Sequence, residues 1–118
     1  MKEGDVILTP IPQANGAIKN RPAVVLREMP PYSDLLVCGI STRLHQQVKN
    51  FDEIISPADA DFASSGLVSE SLIRLGFLAL VPKKYVIGSI GTISRRRHNR
   101  LLNTLSSYLI ANIAKRKT

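Results

Sequence analysis

The sequence is short of cysteine, histidine and long apolar runs, and each shortage excludes a class of protein. Cys38 is the only cysteine in 118 residues, so no internal disulfide framework can form. One cysteine and two distant histidines, His45 and His98, cannot complete a zinc site, and we expect no metal and no cofactor. No run approaches the roughly 18 apolar residues of a membrane span, and no signal-peptide pattern is present. We therefore predict a soluble cytoplasmic protein.

Acidic residues are absent from the second part of the chain. Residues 1–70 carry six Lys/Arg and nine Asp/Glu, whereas residues 71–118 carry ten Lys/Arg and no acid. Such asymmetry favours a polyanionic partner, which is a nucleic acid, an acidic protein segment or an anionic membrane surface. The alternative is a basic face that only keeps the protein soluble.

Apolar runs separated by turn residues predict a mainly β protein with one C-terminal helix. The run from Leu35 to Ile40 is typical of a strand covered on both faces, with Cys38 in the core. Ser94 is a good N-cap for the helix. Its apolar stripe is predicted at His98, Leu102, Leu105, Leu109 and Ile113, widened by Leu101, Tyr108 and Ile110. Strands are predicted over 3–9, 22–28, 34–40 and 51–56, with further apolar stretches over 67–81 and 87–93. Residues 1–118 are predicted to form a single domain with a small curved antiparallel sheet, an SH3-like half-barrel.

Two groups of arginines stand out in this pattern. Arg21 precedes Pro22, which favours an extended Arg21 held at the mouth of the sheet, with its guanidinium free for a ligand. The alternative for Arg21 is a surface ion pair. Residues 95–97 are all arginine and Arg100 follows, although positive charge at a helix N-terminus opposes the macrodipole. These arginines either bind phosphates or an acidic partner, or they belong to a poorly optimised surface.

A second polar group follows the third predicted strand. Ser41, Thr42, Arg43 and His45 lie just after it, and loops on one side of a curled sheet can converge. We therefore expect this group to share a cleft with Arg21.

Several segments, taken in order, resemble the MazF/PemK toxins of bacterial toxin–antitoxin systems. The Lys-Asn-Arg-Pro-Ala-Val-Val-Leu string at 19–26 follows Gly-Asp-Val at 4–6, and an apolar strand ends in Ile-Ser-Thr at 40–42. Gly66-Leu67 with Ser-Leu-Ile-Arg at 71–74, and Ile-Gly-Thr-Ile-Ser at 90–94, complete the resemblance, which spans essentially the whole chain.

The resemblance implies a homodimer that cleaves single-stranded RNA without a metal and is neutralised by an antitoxin with an acidic tail. Contact with DNA would occur only through the antitoxin. In the family, the arginine before proline and the hydroxyl after the third strand serve the scissile phosphate, which here are Arg21 and Ser41 or Thr42. The sequence departs from the family at Gly76, where a carboxylate is usual, and this leaves the general base open.

Chemical reasoning divides the roles among the candidate residues. Arg21 would stabilise the charge on the phosphoryl oxygens, and Ser41 or Thr42 would orient the phosphate. His45 is the nearby side chain suited to proton transfer, with an ordinary loop histidine as the alternative. The residues expected to bind RNA are Lys19, Asn20, Arg43 and Arg74 along the backbone and Tyr32 by stacking on a base.

Two other functions remain open on sequence alone. One is a non-catalytic member of the fold that binds RNA or its antitoxin, which the absent carboxylate at Gly76 favours. The other is an inhibitor of a protein target, as the related toxin CcdB inhibits DNA gyrase. A DNA-binding module is less favoured because no recognition-helix motif is present.

Overall fold

A computed structural model of the protein describes residues 1–112. Six strands are followed by one long helix, with one short helix and two 3₁₀ turns between them. The strands are β1 (Asp5–Pro12), β2 (Ile18–Met29), β3 (Asp34–Ser41), β4 (Glu53–Ile55), β5 (Ser71–Val81) and β6 (Gly88–Thr92). The helices are α1 (Phe62–Ser65) and α2 (Arg95–Ile110), and the 3₁₀ turns are Leu44–Gln46 and Lys83–Tyr85.

The strands form one antiparallel sheet in the order β4-β5-β3-β2-β1-β6. The register shifts at three places, between Val6 and Ile7, between Val25 and Arg27, and between Cys38 and Gly39. Extra residues at such bulges bend a strand and increase its twist. The sheet therefore curls into a half-barrel, which confirms the predicted mainly β fold with its C-terminal helix.

Both faces of the sheet carry apolar clusters. The cluster on the face toward α2 contains Val24 and Cys38 of the sheet together with Leu101 of α2, and the cluster on the opposite face includes Ala23, Val25 and Val37. This confirms the prediction that the third strand is covered on both faces. Cys38 is fully buried, and burial raises the pKa of its thiol to about 12, as expected of a core cysteine.

The first hairpin is longer than predicted, and this corrects the placement of Arg21. β2 begins at Ile18 rather than at Pro22, and Arg21 pairs with Thr9 inside the hairpin instead of standing at a strand start. The Leu8 carbonyl accepts a bond from Ile87 on the β6 side. Backbone N–H and C=O groups of successive strand residues point alternately to the two neighbouring strands. The backbone nitrogens of Pro10 and Pro12 therefore point to the same side as Leu8, where the pairing with β6 has already ended. Their missing N–H groups therefore cost the hairpin no hydrogen bond.

Helix α2 begins as predicted, and its predicted stripe reaches the core at Leu101, Leu102 and Leu105. Ser94 caps it, since Ser94 Oγ accepts a bond from Arg97 N at 3.1 Å. The buried residues are Arg97, Leu101 and Leu105, whereas Leu109 is exposed. The predicted stripe is therefore wrong at its C-terminal end, where Tyr108, Leu109 and Ile110 are exposed. Its last member, Ile113, lies outside the described residues.

A buried ion-pair network around Arg97 joins the first turn of α2 to β4 and to the segment before α1. Arg97 Nε donates to Asp61 Oδ2 at 2.8 Å, Nη1 to Glu53 Oε1 at 2.9 Å and Nη2 to Asp59 Oδ2 at 3.0 Å. Burial alone would raise the pKa of Asp61, but the bonds from Arg97 and Ser94 outweigh it and lower the pKa to about 2. Arg97 is thus a structural residue, and its predicted role in gripping phosphates is wrong. Part of the charge asymmetry is neutralised inside the fold.

Two glycines of the motif segments allow α1 and β6 to pack backbone against backbone. Gly66 ends α1 in the left-handed region, with φ of 76°, and a Cβ there would collide with the Ile90 carbonyl. A Cβ on Gly91 would collide with the Ser64 carbonyl. Only glycine fits both positions. Within residues 1–112, no helix is both long and apolar enough to cross a membrane.

Candidate RNA-binding cleft

One open cleft, of about 640 Å³, collects most of the predicted site residues. The β1–β2 hairpin, the end of β3 with the following 3₁₀ turn, and the middle of β5 form its walls. Its lining residues are Ile11, Pro12, Gln13, Ala14, Asn15, Lys19, Arg21, Gly39, Ile40, Ser41, Thr42, Arg43, Gln46, Arg74 and Phe77. We call this the basic cleft.

Arg21 is fixed in the basic cleft by Gln13 across the hairpin. Arg21 Nη2 donates to Gln13 Oε1 at 3.3 Å, and Gln13 Nε2 donates to the Ile11 carbonyl at 3.0 Å. Gln13 is itself held by the hairpin turn, where its N–H donates to the Ala17 carbonyl at 2.7 Å. Arg21 is half-buried and has further guanidinium donors for a ligand.

The two candidate hydroxyls lie at the end of β3 with different surroundings. Ser41 Oγ accepts a bond from Arg43 N at 3.0 Å, so Ser41 is oriented by the turn that follows it. Thr42 is exposed. Both residues line the basic cleft with Arg21, so either hydroxyl can donate to an anion bound there.

Four cationic side chains line the basic cleft. Lys19, Arg21, Arg43 and Arg74 line it, and no aspartate, glutamate or histidine of residues 1–112 is part of its walls. Within residues 1–112, none of the four forms a salt bridge. Uncompensated charges in a cleft raise the local concentration of anions, so the arrangement suits a polyanionic chain.

Three predicted site residues do not line the basic cleft. Asn20 is exposed and, by the alternation of β2, points away from the face that carries Lys19 and Arg21. Tyr32 is 82% exposed in the β2–β3 turn, about 25 Å along the strand from Arg21 at 3.3 Å per residue. His45 is exposed on the 3₁₀ turn, although the next residue, Gln46, lines the basic cleft.

Gln13, Gln46 and Phe77 line the basic cleft but were not predicted. Gln13 sits in a segment that the sequence predicts to be a loop, and only the extended hairpin places it beside Arg21. Phe77 has a sequence signal, because Gly76-Phe77 stands where the resembled family often has Asp-Gln. No group of three or more His, Cys, Asp or Glu side chains in residues 1–112 is placed to hold a metal ion.

A second cavity, of about 770 Å³, lies between α2 and the segment before β4. Phe51 and Tyr108 form its aromatic wall, with ring centroids 5.1 Å apart. Among the residues that the structure describes, Lys49 is its only charged lining residue. It is larger than the basic cleft but has no cluster of reactive or charged side chains, so we place the functional site in the basic cleft.

The fold and the basic cleft define a class, the small β half-barrels with a C-terminal helix and a strongly basic cleft at one end of the sheet. Within this class, residues 2–109 match the model of the family described as "PemK-like, MazF-like toxin of type II toxin-antitoxin system". The chain belongs to this family. The match confirms the resemblance seen in the sequence.

Solved structures agree on the fold. The Mycobacterium tuberculosis toxin MazF-mt6 is 16% identical, with a TM-score of 0.64 over 89% of this chain and 95% of that chain. An endoribonuclease in complex with its cognate antitoxin, from a mycobacterial species, is 12% identical, with a TM-score of 0.65 over 94% of this chain and 96% of that one. Among curated proteins, none matched the sequence.

Proposed function

We propose that this chain is the toxin of a type II toxin–antitoxin pair and that it cleaves single-stranded RNA in the cytoplasm without a metal ion. Family membership supports the toxin assignment. The observation that carries the activity is the meeting of Arg21, two hydroxyls and three further cations in one cleft without an acid. We treat residues 1–118 as one toxin domain.

The lining of the basic cleft suits single-stranded RNA. Lys19, Arg43 and Arg74 supply charge for the phosphates on both sides of Arg21. The amides of Asn15 and Gln46 offer donors and acceptors to base edges, which are accessible only when the strand is unpaired.

The chemistry is an internal transfer at phosphorus. The ribose 2′-oxygen forms a bond to the adjacent phosphorus, and the bond from phosphorus to the 5′-oxygen breaks. The products are a 2′,3′-cyclic phosphate and a 5′-hydroxyl end. Arg21 stabilises the negative charge of the pentavalent transition state, and Ser41 or Thr42 holds a non-bridging oxygen in place.

Two proton transfers complete the reaction, and His45 is the candidate for one of them. The 2′-hydroxyl must lose a proton, and the leaving 5′-oxygen must gain one. His45 is exposed beside Gln46 on the turn that closes the basic cleft. We propose that it exchanges the proton with RNA that overlies this turn, and His45→Ala should then slow cleavage while RNA binding is unchanged.

The antitoxin should compete with RNA for the basic cleft. An acidic, extended peptide presents carboxylates that can pair with Lys19, Arg21, Arg43 and Arg74 as phosphates do. One structural neighbour is an endoribonuclease with its antitoxin bound, which supports this partner class. DNA would be contacted only through the antitoxin.

A homodimer is the proposed assembly. β4 pairs with β5 only at Ser71–Ile73, so the later part of β5 has one unpaired edge in the described chain. Leu78 and Leu80 in that part are 41% and 57% exposed. An apolar pair beside an open strand edge favours association, and light scattering on the purified protein measures the dimer directly.

The test is incubation of the purified protein with a long single-stranded RNA in EDTA, beside the Arg21→Ala variant. We expect discrete fragments that end in 2′,3′-cyclic phosphate from the wild type and intact RNA from the variant. Replacing the nucleotide 5′ to a cut with its 2′-deoxy form should abolish that cut, because the nucleophile is removed. Cleavage that needs a divalent ion, or that survives the deoxy substitution, would contradict the mechanism.

One observation favours a second candidate, a family member that binds RNA or antitoxin without cutting. The described walls of the basic cleft contain no carboxylate or imidazole to accept a proton, and Gly76 supplies no side chain. Salt-sensitive RNA binding by the folded wild type without any product would favour this candidate over the endoribonuclease.

A further inference from the structure

We propose that Phe77 is a base-stacking residue of the basic cleft and helps to decide which nucleotide the cleft accepts. This inference rests on the proposed RNA function of the same cleft. The sequence predicted Tyr32 as the stacking residue, but Tyr32 lies beyond the far end of β2. The Phe77 ring, in contrast, lies among the four cations of the cleft.

A bulge in β5 places the Phe77 ring. Cys38 pairs with Leu78, but the next residue, Gly39, pairs with Arg74, so Leu75, Gly76 and Phe77 have no partners on β3. The bulge is fixed at Leu75, which is fully buried and whose N–H donates to the buried Asp52 Oδ1 at 3.0 Å. Phe77 can therefore turn into the basic cleft while the strand continues on either side.

The ring is held against the floor of the basic cleft. A Cβ built on Gly39 would lie 3.1 Å from Phe77 Cδ1 and 3.4 Å from Cγ, which shows that the ring rests directly on the Gly39 backbone. Phe77 is half-buried and lines the cleft. One surface of the ring is thus supported by protein, and the exposed part of the ring forms the wall of the cleft together with Arg74.

The electrostatic surroundings suit a nucleotide. The Arg74 guanidinium carbon lies 5.8 Å from the centroid of the Phe77 ring, within the range of a cation–π contact. An aromatic platform beside cations that follow a phosphate backbone is the usual arrangement for single-stranded nucleic acid. Arg74 can pair with a phosphate while the adjacent base stacks on Phe77.

The absence of tryptophan from the chain makes Phe77 directly testable. The Phe77→Trp variant carries a single tryptophan, whose emission should be quenched when a base stacks on it. The probe is a fluorescein-labelled single-stranded 2′-O-methyl oligoribonucleotide, which cannot be cleaved because its nucleophile is blocked. Label anisotropy reports binding, and an unlabelled copy of the oligonucleotide is used to record tryptophan emission. Tyr32→Trp is the matched control, which should bind equally with unchanged emission.

Affinity and ligand controls separate stacking from a packing role. Phe77→Leu should bind the oligonucleotide about 5- to 150-fold more weakly than the wild type. Phe77→Tyr keeps an aromatic ring and should therefore keep most of the wild-type affinity. Inorganic polyphosphate should occupy the cations and leave the emission of Phe77→Trp unchanged. Circular dichroism of each variant checks its fold.

The outcomes distinguish this inference from the proposed function. Oligonucleotide binding by Phe77→Trp without a change in emission, equal quenching by polyphosphate, or wild-type affinity in Phe77→Leu would each overturn the stacking role while RNA binding stands. If the wild type binds no oligonucleotide, the RNA function and the stacking role both fail.

Discussion

Replacing Arg97 by alanine should remove a large share of the stability of the fold. Arg97 is only 5% exposed and pairs with three carboxylates from two other segments. Its loss leaves Asp61, also buried, as an uncompensated charge. Removing one partner of a buried ion pair typically costs about 3–5 kcal/mol, against a total of roughly 5–15 kcal/mol for a domain.

Urea unfolding followed by circular dichroism measures this cost. With a slope of about 2 kcal/mol per molar urea, the midpoint of Arg97→Ala should fall by roughly 1.5–2.5 M. Arg96→Ala is the control, because Arg96 is exposed at the neighbouring position and should change stability by no more than about 0.5 kcal/mol. Equal midpoints for the two variants would refute the structural role of Arg97 and return it to the candidate ligand-binding residues.

Three further predictions concern the same fold and cleft. The pKa of Asp61 is lowered from its ordinary value of 3.8 to about 2, so its contribution is present above pH 4 and is lost as the pH falls toward 2. It amounts to about 2 kcal/mol, and Asp61→Asn should lack this acid dependence in unfolding titrations. Gln13→Ala should lower kcat for RNA cleavage roughly tenfold with little change in KM, because Arg21 loses the bond that orients it. A change in KM alone would instead make Gln13 an RNA contact. Cys38, with its raised pKa and full burial, should resist iodoacetamide at pH 8 until urea unfolds the protein, and rapid alkylation of the native protein would contradict its core position.

Local patterns in the sequence predicted the sheet and the beginning of the helix. Strands, turns and helix caps are determined largely by residues that are close in the sequence. The sequence therefore predicted β3, the Ser94 cap and the curved sheet. The basic cleft was also partly predictable, because Arg21 and Ser41 lie on adjacent strands of one face, and the family resemblance names both. To predict that these two side chains lie close together, only the order of the strands in the sheet was needed.

Features that depend on distant partners were not predictable. Arg97 enters the core because Glu53, Asp59 and Asp61, some 36 to 44 residues earlier, converge on it, and a helical periodicity does not register such partners. Phe77 enters the basic cleft because β5 bulges at a point fixed by its pairing with β3. Apolar periodicity detects neither a distant salt bridge nor a register shift. It therefore missed the burial of Arg97 and the position of the Phe77 ring, and it extended the apolar stripe into residues that are exposed.

The most direct test of Arg21 as the charge-stabilising group compares binding and single-turnover cleavage in the same samples. Wild type, Arg21→Ala and Arg27→Ala are each mixed in excess with a labelled single-stranded RNA in EDTA. Arg27 is the matched control, since it lies on the same strand but is exposed and paired with Glu3 at 2.9 Å. We predict that Arg21→Ala retains RNA through Lys19, Arg43 and Arg74 but cleaves it at least about 100-fold more slowly, while Arg27→Ala cleaves at the wild-type rate. Cleavage by Arg21→Ala at the wild-type rate would contradict the assignment of Arg21 and of the basic cleft as the active site.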